Sequence, residues 1–130
     1  RSRWQVDAPL KKNVLHSGER IVRVARDGKA AVTEFRRLTR YAGATLVEAR
    51  PITGRTHQIR VHALHMGHPL AGDDRYGDAQ VNRSFRQAGL RRLFLHARET
   101  TFRHPRTAEP LRVEAPLDDD LARFLTGLPA

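Results

Sequence analysis

The sequence predicts an α+β fold in which a mostly antiparallel, mixed sheet is flanked by a few helices. Several short segments alternate apolar and polar residues and end near glycine or proline, a pattern typical of strands. Other segments carry apolar residues at the 3.6-residue spacing of an amphipathic helix. The strand segments outnumber the helical ones, and the sequence contains no internal repeat.

The amino-terminal part contains four strand segments. Residues 4–12 include Pro9, which favours an edge strand or an extended arm. Residues 19–25, 32–41 and 44–50 alternate, and glycine-containing turns separate them. One face of the last segment carries only small or β-branched side chains, Thr45, Val47 and Ala49. We expect the last three segments to form an antiparallel meander.

A helical pattern follows Pro51. Thr53 or Thr56 is expected to cap this helix, and Gly67 is expected to end it. Its core-facing side chains, spaced as on one helix face, are Ile59, Ala63 and Met66. The pattern therefore predicts one helix across the centre of the chain.

The carboxy-terminal part predicts shorter elements. Residues 82–89 favour loops with a short helix, and residues 93–95 favour a short buried strand that residues 100–103 continue. Residues 111–115 alternate as a last strand. A final helix is expected from Asp118, with acidic residues in its first turn. Its apolar stripe consists of Leu121, Phe124, Leu125 and Leu128.

The charge balance favours a nucleic-acid partner. Lysine and arginine number 24 against 14 acidic residues, for a net charge of +10, and only Lys11, Lys12 and Lys29 are lysine. Arginine pairs with phosphate oxygens two at a time and stacks on bases. A GC-rich genome, which replaces lysine by arginine throughout, is the competing explanation. The basic residues do not gather on one long amphipathic helix, so a membrane surface is a less favoured partner.

Other features of the composition limit the class of protein. The apolar runs are too short for a transmembrane helix. The absence of cysteine excludes disulfides and thiolate metal sites, and suits a cytoplasmic protein. The chain starts at Arg1 without an initiator methionine or a signal peptide, so we interpret it as part of a longer protein.

The densest group of polar side chains lies at residues 54–77, GRTHQIRVHALHMGHPLAGDDRYG. On a helix, Arg60 would project beside His57 from a rigid support, where its guanidinium can pair with a carboxylate or a phosphate. A plain surface arginine is the alternative. Four histidines at positions 57, 62, 65 and 68 suggest a metal site, but the usual carboxylate ligand is missing. Asp73 and Asp74 are interpreted as a turn with a cap.

This stretch resembles a motif of the pseudouridine synthases that modify large-subunit ribosomal RNA, the RluA/RluC type, and is most similar to the RluC branch. The matching residues are Pro51, Thr53 to His62, Gly67 to Leu70, Gly72-Asp73 and Tyr76-Gly77. Further similarities lie at residues 28–33, at residues 93–97, at His104-Pro105 and at Ala115-Pro116. The resemblance covers nearly the whole chain and implies the carboxy-terminal portion of a pseudouridine synthase catalytic fold, residues 1–130.

The resemblance implies isomerisation of uridine to pseudouridine in 23S ribosomal RNA, without a metal or an organic cofactor. In that reaction an aspartate attacks the nucleoside, the glycosidic bond from C1′ to N1 breaks, the uracil rotates, and a carbon–carbon bond from C1′ to C5 forms. The target uridine must be flipped out of its stack. By resemblance, Arg60 pairs with the catalytic aspartate, and Leu93 and Leu95 wall the base pocket. The side chains expected to organise the cleft or contact the RNA backbone are Arg55, His57, Gln58 and His62.

One departure from the family pattern affects the expected activity. The family's His-Arg-Leu-Asp motif, which carries the nucleophile, does not occur in these 130 residues. We therefore expect the parent enzyme to be active and the isolated chain to be inactive. We also expect the parent enzyme to be a monomer. The alternative is a non-catalytic, basic RNA-binding module that keeps the cleft. A DNA-binding domain is disfavoured, because neither helix-turn-helix spacing nor zinc-finger ligands are present.

Overall fold

Antiparallel strands and three helices make up the computed structural model, which describes residues 2–14, 17–96, 99–103, 110–114 and 117–128. Side chains are described in all of these except residues 14, 99–103 and 110–114. The elements are β1 (Arg3–Asp7), β2 (Leu10–Val14), β3 (Arg20–Val24), β4 (Val32–Tyr41), β5 (Ala44–Pro51), α1 (Gln58–His65), α2 (Ala79–Gln87), β6 (Glu99–Arg103), β7 (Pro110–Glu114) and α3 (Asp119–Gly127).

The central sheet has three strands in the order β1-β4-β5, and every described strand pair is antiparallel. β4 and β5 form a hairpin, as expected, and Gly43 supplies the positive φ of +80° that the turn requires. β1 pairs with the other edge of β4, where Trp4 lies opposite Phe35. Together with the three helices, these strands confirm the predicted α+β class.

The predicted three-strand meander is wrong in one pairing, because β3 pairs with β2 and not with β4. The edge of β4 that β3 would need is already taken by β1. The turn after β3 instead runs along Leu10, which exchanges backbone hydrogen bonds with Lys29 at 2.8 and 2.9 Å. Gly28 allows this approach, since a Cβ there would lie only 2.6 Å from the Leu10 backbone.

Helix α1 packs on one face of the central sheet. Val6, Ala8 and Phe35 are buried there, and Ile59 and Met66 of the helix region pack against them. Val47 and Ala49 of β5 join the same cluster, and Ala63 is buried. The predicted core face of the helix is therefore confirmed. Gly67 ends the helix, with a φ of +84° and its N–H bonded to the Leu64 carbonyl.

The carboxy-terminal helices form a second cluster. The predicted stripe on α3 is confirmed at three of its four residues, since Leu121 and Phe124 are buried against Leu90 and Leu128 packs beside them, whereas Leu125 is half-buried outside this cluster. Asp118 is the N-cap residue, as expected. The short helix expected at residues 82–89 is α2, which begins earlier because the side chain of Asp78 accepts hydrogen bonds from the N–H groups of Gln80 and Val81. The strand segments expected at residues 100–103 and 111–115 correspond to β6 and β7, which pair antiparallel.

The short buried strand expected at residues 93–95 is absent. The Leu95 N–H bonds to the Leu93 carbonyl at 3.0 Å, and this three-residue turn is incompatible with an extended strand. Leu95 is exposed and Leu93 is half-buried. Phe94 alone enters the carboxy-terminal cluster, because its N–H bonds to the Ala71 carbonyl and holds the segment there. None of the helices in the described ranges is long and apolar enough to cross a membrane.

Candidate active site

The amino terminus of α1 is attached to β4 by the side chain of Gln58. Its Oε1 accepts hydrogen bonds from the Arg55 N–H and the Thr53 hydroxyl, at 3.0 and 2.6 Å. Its Nε2 donates to the Val32 carbonyl and to the Thr33 hydroxyl, at 2.8 and 3.0 Å. Gln58 thereby uses both its acceptor and its donor groups inside the fold.

The expected threonine cap on α1 is therefore wrong. His57 occupies the N-cap position and makes no side-chain capping hydrogen bond. Thr53 instead accepts a hydrogen bond from the Val32 N–H and donates to Gln58. His57 has a φ of +54°. Within the described ranges it is the only non-glycine residue with a positive φ. Such a conformation costs about 1–2 kcal/mol, so the surrounding contacts must hold His57 in place.

His62 is fully buried, and both of its ring nitrogens have partners. Nε2 donates to the Ala8 carbonyl at 2.9 Å, because a carbonyl can only accept. Nδ1 then accepts from the Thr33 hydroxyl at 2.7 Å, in line with a neutral ring. Burial lowers the pKa of His62 and outweighs the hydrogen bond to the Ala8 carbonyl, which would raise it. The side chains of Gln58 and His62 thus lie within one internal hydrogen-bond network that joins α1 to the sheet.

Arg60 forms a two-pronged ion pair with Asp73. Its Nε donates to Oδ2 at 2.9 Å, and its Nη2 donates to Oδ1 at 2.7 Å. The Asp73 side chain is 0% exposed and that of Arg60 is 20% exposed, so the pair is shielded from water. The guanidinium carbon also lies 5.1 Å from the ring centroid of Tyr76, a favourable position for a cation. The sequence suggested a carboxylate or a phosphate as the partner of Arg60, and the resemblance implied the catalytic aspartate. The partner in the structure is instead Asp73 of the same chain.

Asp73 also shapes its own loop. Its Oδ1 accepts hydrogen bonds from the N–H groups of Arg75 and Tyr76, at 3.1 and 3.0 Å, which confirms the expected turn. Its backbone carbonyl accepts from Asn82 Nδ2 of α2 at 2.8 Å. Burial alone would raise the pKa of Asp73, but the hydrogen bonds from Arg60, Tyr76 and Arg75 outweigh it and hold this pKa below its usual value.

Tyr76 connects Arg60 to His57. The Tyr76 hydroxyl accepts a hydrogen bond from the Val22 N–H at 3.0 Å and lies 2.7 Å from His57 Nδ1. The direction of this second bond depends on the tautomer of His57: the hydroxyl donates to Nδ1 when the neutral ring carries its proton on Nε2, and accepts from it when the proton is on Nδ1. Burial, and then the charges of Arg60 and Arg75, lower the pKa of His57. His57, Arg60 and Tyr76 therefore form one connected group at the start of α1.

The remaining predicted site residues lie nearer the surface. Arg55 is exposed, and its Nε donates to the Ala30 carbonyl at 3.0 Å. Leu95 lines a broad groove of about 2370 Å³ between the sheet and the carboxy-terminal helices. Tyr76 also lines this groove, but Arg60 and Leu93 do not. The structure therefore brings Leu95 and Tyr76 to the same groove and leaves Leu93 outside its lining.

Asp73 and Tyr76 are the site residues that the sequence reasoning did not select. Both lie in the Gly72-Asp73 and Tyr76-Gly77 pairs of the recognised motif, which was the available signal. In the described ranges, no three histidine or carboxylate side chains converge as metal ligands. The two ring nitrogens of His62, which had suggested a metal ligand, are both bonded within the protein.

The lowered pKa values predict a stability that declines in acid. Unfolded histidine takes up a proton below about pH 6.5, whereas folded His57 and His62 resist it, so the free energy of unfolding should fall from that pH downward. Asp73 should add a second decline that begins below about pH 3.9. Urea unfolding across this range tests the prediction. His57→Asn, which tolerates the left-handed backbone and does not titrate, should weaken the first decline. Constant stability between pH 8 and pH 5 would contradict it.

Comparison with known proteins shows that the chain is similar to pseudouridine synthases. A sequence model of the family described as RNA pseudouridylate synthase matches residues 5–65. The chain is 56% identical over 135 residues to the ribosomal large subunit pseudouridine synthase C of Escherichia coli O157:H7, covering 98% of this chain and 42% of that protein. The Yersinia pestis protein of the same name is 52% identical over 133 residues, with the same coverage.

A solved human structure shows the same likeness in three dimensions. Human RNA Pseudouridylate Synthase Domain Containing 1 superposes with a TM-score of 0.74 at 28% sequence identity, and the match covers 99% of this chain and 54% of that one. The chain thus spans less than half the length of the two bacterial relatives.

Proposed function

We propose that this chain, which belongs to the RNA pseudouridylate synthase family, takes part in converting uridine to pseudouridine in large-subunit (23S) ribosomal RNA. Its high identity to two bacterial enzymes named for that reaction supports the proposal. The observation that carries it is the Arg60 guanidinium, which is largely buried, held by Asp73 and placed over the Tyr76 ring. A group fixed in this way can stabilise charge as the glycosidic bond breaks, without reorganising during the reaction.

We propose that Arg60 is the catalytic residue of this chain and pairs with a nucleophilic carboxylate. The described contacts use two of the five N–H donors of its guanidinium, so three remain for a second acceptor. Because the carboxylate of Asp73 is buried and fully engaged, it is not suited to attack a nucleoside. Since the His-Arg-Leu-Asp motif of the similar enzymes does not occur in the sequence, we propose that the nucleophile comes from outside these 130 residues, which form the carboxy-terminal portion of a longer catalytic domain.

The other site residues divide into two groups under this proposal. Gln58 and His62 organise the cleft, since their polar atoms are bonded inside the fold. Arg55 and His57 are accessible enough to contact the RNA backbone, and Leu95 contacts the flipped-out base from the groove. Leu93, which does not line this groove, is not assigned a contact with the base. The reaction as proposed needs no metal or organic cofactor. A monomeric state and a cytoplasmic location remain predictions from the sequence.

Incubation with RNA tests the proposal. The full-length protein should form pseudouridine in unmodified large-subunit ribosomal RNA, detected by carbodiimide labelling and primer extension. The isolated 130 residues should form none, because Arg60 then has only the buried Asp73 as its described carboxylate partner. RNA binding by the full-length protein without any product would instead favour the non-catalytic module. Product from the isolated chain would contradict the need for an external nucleophile.

A further inference from the structure

The Arg60–Asp73 pair is more tightly supported than a turn requires. Two backbone N–H groups would satisfy a turn-forming side chain, but Asp73 also accepts two hydrogen bonds from one guanidinium. Asn82 fixes the same loop from α2, since it donates to the Asp73 carbonyl and accepts from the Gly72 N–H. Gly77 permits this packing, because a Cβ there would lie 2.5 Å from the Asp73 carbonyl oxygen. The carboxylate is therefore held rigidly before it holds Arg60.

We propose that Asp73 is a positioning residue, whose buried carboxylate holds the Nε and Nη2 edge of Arg60 so that the opposite edge faces the reacting groups. This inference rests on the proposed function, in which Arg60 acts on the substrate side. An arginine side chain has several rotatable bonds, and an anchored edge removes most of that freedom. The Tyr76 ring limits the remaining rotation from one face. Asp73 thus acts through Arg60 and does not contact the RNA.

The two oxygens of the Asp73 carboxylate accept different hydrogen bonds, so a substitution can break one contact with Arg60 and keep the turn. Oδ1 of Asp73 accepts from both backbone N–H groups and from Arg60 Nη2, whereas Oδ2 accepts only from Arg60 Nε. In Asp73→Asn, the amide oxygen can keep the turn while its NH2 group takes the place of Oδ2. Two donors then face each other at Nε, so that prong of the pair is lost. Asp74→Asn is the matched control, because it removes the same charge from the adjacent, exposed position.

Kinetics of the full-length protein test the proposal first. Asp73→Asn should lower kcat by about 100-fold, because a reacting group displaced by about 1 Å loses rate on that order. KM for ribosomal RNA should change by less than about threefold, since phosphate contacts are untouched. Asp74→Asn should leave both constants unchanged. A folded Asp73→Asn variant with the wild-type kcat would overturn the proposal.

Asp73→Asn measured in an Arg60→Lys protein separates a positioning role of Asp73 from a purely structural one. Lysine at position 60 cannot make the two-pronged pair, so Asp73→Asn should lower kcat much less in an Arg60→Lys protein than in the wild type. Equal losses in the two backgrounds would mean that Asp73 acts only on the fold, and would overturn the proposal.

Nuclear magnetic resonance gives a readout that is independent of turnover. The Arg60 Nε–H signal, assigned by its loss in Arg60→Lys, should be distinct and slow to exchange in the wild type and in Asp74→Asn. In Asp73→Asn it should move towards the signals of exposed arginines. An unchanged signal overturns the positioning role. If the signal shifts but the wild-type protein makes no pseudouridine, the proposed function has failed and the anchoring of Arg60 by Asp73 has not.

Discussion

Arg60→Ala in the full-length protein should lower kcat for pseudouridine formation by about 1000-fold or more. Loss of a preorganised charge at a reacting centre has effects of this size when the site excludes water. RNA affinity should remain within about tenfold of the wild type, because other basic side chains still neutralise phosphates. Single-turnover kinetics and filter binding measure the two quantities separately.

Folding must be controlled in this experiment, because alanine leaves Asp73 buried without its cation. Breaking a buried ion pair costs about 3–5 kcal/mol, so the thermal stability of Arg60→Ala should be measured beside its activity. Arg60→Lys keeps a positive charge near Asp73 and should be more stable than Arg60→Ala, yet severely impaired in kcat. Arg123→Ala, which removes an exposed arginine from α3, is the control and should retain activity. Near-normal kcat in both position-60 variants would remove the basis of the assignment.

Local patterns in the sequence predicted the elements better than their arrangement. The alternation of residues 32–41 predicted β4 to the residue, and the apolar stripe of α3 was confirmed at Leu121, Phe124 and Leu128. The pairing of β3 with β2 could not be predicted in this way, since it depends on which strand occupies the free edge of β4. That choice follows from contacts between residues far apart, such as Trp4 with Phe35, which no local window contains.

The same limit applies to the capping of α1. A threonine before a helical pattern is a good cap candidate on local grounds. The Thr53 hydroxyl instead accepts a hydrogen bond from the Val32 N–H of β4. The side chain of Gln58 attaches the helix to the same strand. The segment at residues 93–95 failed for a related reason, because its hydrophobic character reflected the contact of Phe94 with α3 and not a strand.

The candidate site was predicted in part. Residue type and helix spacing selected Arg60 as a partner for a carboxylate or a phosphate, and the resemblance to the family implied an aspartate. Sequence reasoning assigned Asp73 to a turn, which was correct but incomplete. The two residues meet only because the chain reverses after Gly67 and bends again at Gly72, both with positive φ values. The geometry of those bends, and the closure of the loop by Asn82, are tertiary features that the motif alone does not describe.

Gly72→Ala should destabilise the full-length protein by about 2–5 kcal/mol. Position 72 has a φ of +77°, and a Cβ there would lie 2.2 Å from the Arg92 carbonyl oxygen and 2.9 Å from its carbon. The left-handed backbone costs an alanine about 1–2 kcal/mol, and relief of the clash by a backbone shift adds about 1–3 kcal/mol. The obstacle is the main chain of Arg92 and Leu93, so no flexible side chain can move aside.

The shift should also reach the site, because Gly72 precedes Asp73 and its N–H bonds to Asn82. We therefore expect Gly72→Ala to lower both the urea midpoint and kcat, and to alter the Arg60 Nε–H signal. Gly127→Ala is the matched control: a Cβ at this last residue of α3 meets nothing within 4 Å. It should leave stability unchanged or raise it by up to about 1 kcal/mol, since alanine favours helix over glycine. Equal midpoints for the two variants would mean that the loop carrying Asp73 does not pack against Arg92 as described.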